Sequence, residues 1–105
     1  MKQVEFHYNE RLGIELPIFY TQWENLTKEE QHHVIFRWEK IRSSIPDRIK
    51  ELEIMIAERE NKLQVEDHFQ TFCQLSAEIS DYASRIIDLN LWFRTQEEAT
   101  SKVHS

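Results

Sequence analysis

Residues 67–94 read DHFQTFCQLSAEISDYASRIIDLNLWFR, 28 residues without a glycine or a proline. Phe72, Ile79, Ile86 and Phe93 recur every seven residues. Phe69, Ser76, Ala83 and Asn90 repeat at the same interval three residues earlier, and Leu75, Tyr82 and Leu89 widen the stripe on its other side. Steps of three and four gather side chains on one helical face, and a stripe this long packs lengthwise against a second helix. One edge of it is large and the other small or polar, which lets a partner backbone come close. The stretch predicts a long helix over 67–95 in an all-α fold.

Upstream, the seam loses phase between Leu63 and Phe69, because the earlier register would put Glu66, Gln70 and Ser80 on the apolar side. Asp67, followed three residues later by Gln70, supplies a new helix cap. A tight turn at 64–67 then gives an antiparallel helical hairpin. One uninterrupted helix from Pro46 to Arg94 is the alternative, since no Gly or Pro enforces the turn. The first arm, 46–63, carries Ile49, Leu52, Ile56, Arg59 and Leu63 at alternating steps of three and four. Arg59 occupies an otherwise apolar position. It either snorkels to solvent or makes a buried ion pair that specifies register. Asn90 falls on the seam between Ile86 and Phe93 and is the second candidate for specifying register.

Thr27-Lys-Glu-Glu30 has the form of a capping box, so a further helix is expected over 27–43, with Val34, Trp38, Ile41 and Ile45 on its inner side. Pro46 interrupts it, and Ser44-Ile-Pro-Asp47 repeats the capping-box form, which predicts a break or sharp kink at 43–46. The expected architecture is therefore all-α, an antiparallel helical hairpin extended to a three-helix bundle. The long arm outreaches the arm before it, leaving 27–43 and the N-terminal segment to cover the overhang. The polar residues 96–105 are expected to fray.

Residues 1–26 read differently. Val4, Phe6 and Tyr8 alternate with polar residues, and Leu12, Ile14, Leu16 and Ile18 alternate again. Period two argues for a short extended segment, a small hairpin bending near Gly13. Pro17 could instead open a helical turn through Ile18, Phe19, Tyr20 and Trp23.

The composition excludes several functions. At 105 residues the chain makes one domain, and a net charge of −6 without a run of Lys or Arg disfavours nucleic acid as a partner. No stretch approaches the ~20 apolar residues of a membrane span, and 1–11 lack a signal-peptide core, so a cytoplasmic protein is expected. Cys73, the only cysteine, fits a reducing compartment and reads as a buried small hydrophobe. A single glycine rules out a glycine-rich phosphate loop. Glu29 with His32, and Glu30 with His33, have the spacing used in four-helix di-iron sites, but such a site needs the motif from a second helix. Asp81 and Asp88 flank Arg85 as a solvated charge ladder. No catalytic residue, metal site or cofactor is expected.

The run Leu75-Ser-Ala-Glu-Ile-Ser-Asp81 resembles the signature of the small helical-hairpin aspartyl-phosphate phosphatases that act on sporulation regulators. The likeness lies in Ser76, Glu78 and Ile79. Ser80 stands where that family places its functional acid, and Asp81 comes one residue late, about 100° further round the helix. The resemblance implies a phosphatase-like regulator as the alternative function. The favoured expectation is a non-enzymatic helical interaction or regulatory protein that self-associates as a homodimer. Its candidate interface residues are Trp23, Ile54, Leu91 and Trp92, large groups outside the helical seam that must be covered, with Asn90 and Phe93 at the end of the long helix that the shorter arm leaves uncovered.

Overall fold

The capping box at Thr27 forms as its residues dictate. In the computed structural model, which describes residues 3–104 and the side chains of 3–95, the Glu30 amide donates to the Thr27 hydroxyl at 3.1 Å and the Thr27 amide to the Glu30 carboxylate at 2.8 Å. Helix α1 (Lys28–Arg42) starts there. At its far end the Ser43 and Ser44 hydroxyls donate back to the carbonyls of Lys40 and Ile41, each at 2.6 Å. Ser44 therefore does not cap the next helix, and the second expected capping box is absent. Helix α2 (Ile45–Val65) begins at once, with Pro46 in its first turn, where an N–H would have no partner within the helix. The two helices form one long rod, bent at the serine pair.

Helix α3 (Phe69–His104) returns antiparallel along this rod. Arg59, late in α2, meets Glu78 near the start of α3, whereas Arg42 at the end of α1 reaches the Phe93 carbonyl. The helical layer is thus one bent helix against one long helix, rather than three helices side by side. The turn between them occupies 66–68, later than expected. The Glu66 amide closes on the Leu63 carbonyl, and the Glu66 carboxylate accepts from the His68 amide at 3.0 Å. Asp67 is not the cap, and the uninterrupted helix is ruled out by extended geometry at Glu66. The last helix also passes residue 95, where the sequence reading ended it, because Gln, Glu, Ala and Lys beyond that point favour helix. At ~1.5 Å per residue its 36 residues account for most of the molecule's 59 Å length. Among the described residues no helix is long and apolar enough to cross a membrane.

The alternating N-terminal residues form a two-stranded antiparallel sheet, β1 (Val4–Asn9) with β2 (Ile14–Phe19), and a 3-10 turn follows at Trp23–Asn25. Pro17 sits within β2 opposite Phe6 and opens no helical turn. The connecting turn is built locally. Asn9 Oδ1 accepts from the Leu12 amide at 2.9 Å, and Gly13 takes a left-handed φ of 75° while its amide donates to the Asn9 carbonyl.

This turn is driven into the helices. Leu12 and Ile14 join Trp38, Ile45, Leu52 and Leu89 in one buried cluster, with Ile45, Leu52 and Leu89 at 0% exposure. Arginines hold the turn's backbone and flank. Arg48 Nε donates to the Leu12 carbonyl at 3.0 Å, Arg85 donates to the Arg11 carbonyl, and Arg11 pairs with Asp88 at 2.6 Å. The buried face of α3 is consequently rotated from its expected centre. Leu75, Tyr82 and Leu89 lie at the seam, whereas Phe69 and Asn90 are exposed and Phe72 is largely so.

A Cβ added to Gly13 would lie 2.6 Å from Arg48 Nε, in a backbone region that L-residues avoid. Gly13→Ala is expected to cost about 2–3 kcal/mol, through left-handed strain and a displaced Arg48. A urea midpoint equal to that of the parent chain would contradict this account of the turn.

Candidate functional site

The expected interface residues do not form one patch. Trp92 packs on Trp38, with ring centroids 5.7 Å apart, and Phe93 lies 3.9 Å beneath the Arg42 guanidinium. Both rings belong to the chain's own core, contrary to the expectation that Trp92 points away from the seam. Helix α1 supplies the cover that the first arm could not. Trp23 is half-buried and meets Phe19 edge-on at 6.2 Å. Ile54 and Leu91 remain exposed. Each lies two residues beyond a buried leucine, Leu52 and Leu89, so each points about 200° away from the common seam, on opposite outer sides of the helical pair.

The uncovered surface lies elsewhere on α3. The β1–β2 turn occupies the side that carries Ser84 and Asp88, through Arg11. The opposite side presents Phe69 (77% exposed), Phe72, Ile87 (60% exposed) and Asn90, with half-buried Ser76 and Ala83 between them. This is the large-and-small pattern of the sequence, now facing solvent. Cys73 is exposed beside it rather than buried, because it lies two positions before Leu75 and a helix turns about 200° over that step. Val65 adds a further exposed apolar group at the hairpin tip. The sequence pattern placed Phe69, Phe72, Ser76, Ala83 and Asn90 in the internal seam and did not single out Ile87 or Val65. Only the position of the β1–β2 turn distinguishes the two sides.

Of the two register candidates, Arg59 is placed across the helical pair. Its Nε donates to Glu78 at 2.7 Å and its Nη1 to the Met55 carbonyl at 3.1 Å. The guanidinium also lies 4.9 Å from the Tyr82 ring centre, with Arg85 on the same ring at 5.2 Å. The hydrogen bond from Arg59 holds the Glu78 carboxyl below its ordinary range, aided by Gln74, and the same bond raises Arg59 further. Asn90 is exposed and contributes nothing to the intrachain seam.

A cleft of about 680 Å³ separates β1 from α1. Leu26 and Val34 line it with Glu29, Glu30, His33 and residues 3–7. Glu30 is already engaged in the Thr27 cap. Among the described residues, no three His, Cys, Asp or Glu side chains converge to hold a metal ion. Asp81, the nearest acid to the phosphatase-like position, is ion-paired with Arg85 one turn along α3. No family model, curated protein or solved structure matches this chain.

The Arg59–Glu78 pair gives a pH signature. Because Glu78 titrates lower when folded, its contribution is present above the unfolded carboxylate pKa and is lost as pH falls through the folded one. Glu78→Gln is expected to lower the urea midpoint at pH 7, and the gap to the parent chain should close below pH ~4. A gap that persists unchanged at pH 3 would show that the charge pair is not its source.

Proposed function

We infer that this chain is a non-enzymatic helical interaction or regulatory protein that self-associates and receives a helix of a protein partner on the open side of α3. The observation that carries the reading is the row Phe69, Ser76, Ala83 and Asn90, flanked by Phe72 and Ile87, in which Phe69, Phe72, Ile87 and Asn90 are exposed and the small Ser76 and Ala83 only half-buried. Small residues between large ones allow two helices to approach closely. Exposed apolar groups concentrated along one side mark a contact surface rather than ordinary surface scatter. A helix laid there would complete the bundle that one chain, with its single bent rod against α3, leaves open.

Self-association is supported by the shape. A radius of gyration of 18.1 Å contrasts with the ~13 Å of a compact chain this size, so little apolar surface is removed from water within one copy. Sedimentation equilibrium at tens of micromolar is expected to give a mass rising towards twice 12.8 kDa. Ile87→Glu, which places a charge in the open row without touching the core, should strip a specific partner from paired affinity captures made with parent and variant chains. Strict monomers, together with identical captures, would overturn the reading. Removal of phosphate from a phosphorylated response regulator, abolished by Asp81→Asn, would assign the chain to the phosphatase-like alternative instead.

A further inference from the structure

The two edges of the small sheet are not equivalent. The Tyr20 amide donates to the Gln3 carbonyl at 2.9 Å, and the strand register pairs Glu5 with Ile18 and His7 with Leu16. Hydrogen-bonded pairs alternate along an antiparallel ladder, so the odd residues of β1 bond to β2 while Val4, Phe6 and Tyr8 turn their N–H and C=O groups outward. Pro17 opposes Phe6 and so stands at an outward position of β2, where it has no N–H to offer. The β2 edge is blunted in its middle. The β1 edge carries no proline, lysine or bulge, the usual devices against strand addition, and the cleft between β1 and α1 runs along residues 3–7.

We propose that the open edge of β1 pairs with β1 of a second copy, antiparallel about a two-fold axis at Phe6, to make a four-stranded sheet across the dimer. The proposal rests on the self-association inferred above and assigns it a contact. Three registers satisfy the outward phase near the strand centre. An axis at Glu5 sets that carboxylate against its own copy, and an axis at His7 sets two imidazoles together. An axis at Phe6 sets Glu5 opposite His7 twice, Phe6 opposite Phe6, and Val4 opposite Tyr8. This register pairs an acceptor with a donor and aromatic or apolar groups with their like, the combinations that stabilise cross-strand neighbours, and it alone of the three sets no titratable side chain against its own copy. Glu5 and His7 already lie on one face of the strand, 3.0 Å apart within the chain, so pairing extends that contact into a ladder across both copies. The three facing pairs offer about six backbone hydrogen bonds. Leu26 and Val34 supply an apolar wall to the cleft beside the added strand.

Residue-resolved amide exchange on the unmodified protein tests this directly. At concentrations where sedimentation gives a dimer, the Val4, Phe6 and Tyr8 amides should exchange as slowly as those of Glu5 and His7. On dilution to monomer, only the even-numbered amides should lose protection. A dimer whose Phe6 amide exchanges freely would overturn the β1 contact while leaving self-association standing. Protection that does not depend on the chain's own concentration would assign the edge to another segment and overturn it equally. In parallel, His7→Glu faces two carboxylate pairs across the axis and should weaken the dimer about tenfold. The exchanged pair, Glu5→His with His7→Glu, should restore it. Equal dimer affinity in all three chains would sink the proposed register, and should His7→Glu fail to fold, the exchange experiment decides alone.

Discussion

The insertion of the β1–β2 turn into the helical pair is the contact on which the rest of this structure depends. Two antiparallel helices share one seam and leave both flanks open, so the pair alone has no preferred buried face beyond that seam. Leu12 and Ile14 close one flank. They meet Trp38 of α1, Ile45 and Leu52 of α2 and Leu89 of α3, joining every helix of the fold in one cluster. Burying a loop backbone carries a penalty unless its polar groups are paired. Here Arg48 and Arg85 satisfy the Leu12 and Arg11 carbonyls, and the Asn9 side chain satisfies the Leu12 amide. Gly13 is required because the Arg48 side chain passes where a Cβ would be.

Arginine recurs as the means of joining elements distant in sequence. Arg11 reaches α3, Arg37 joins β2 through Glu15 and covers Phe6, Arg42 covers Phe93, and Arg59 spans the helical pair. A flat guanidinium can stack on a ring and donate hydrogen bonds in the same posture, and its long stem shields apolar neighbours. That combination suits an elongated molecule in which few side chains are wholly buried. Exposed ion pairs contribute little to stability singly, but these fix the alignment of elements whose apolar contacts alone would tolerate sliding.

The same asymmetry organises the surface. On the side of α3 where the turn docks, polar groups such as Ser84 and Asp88 are bound by Arg11. On the other side, large and small apolar residues alternate without cover. The sheet repeats this contrast, with β2 leaning on α1 through the Glu15–Arg37 pair while β1 borders an open cleft. Both uncovered features are suited to regular secondary structure, a helix in one case and a strand in the other.

The individual elements were legible from local signals. Heptad spacing marked α2 and α3, Thr27 and Glu30 marked the start of α1, Pro46 marked the bend, and period-two alternation marked the sheet, because each of these signals acts over a few residues through backbone geometry. The sequence also showed Arg59 standing in a seam, although not that Glu78 would meet it. What tertiary structure alone decided was rotation. Phe69, Ser76, Ala83 and Asn90 form as regular a stripe as Leu75, Tyr82 and Leu89, and periodicity cannot rank two stripes on one helix. Packing against α2 and the docked turn buries the second and leaves much of the first in solvent, and the contacts responsible, Leu12 with the cluster around Leu89 and Arg59 with Glu78, lie far beyond the reach of any local pattern. Trp92 and Cys73 changed places for the same reason. The tryptophan falls on the side closed by α1 and the turn, and the cysteine on a side that stays exposed among the described residues.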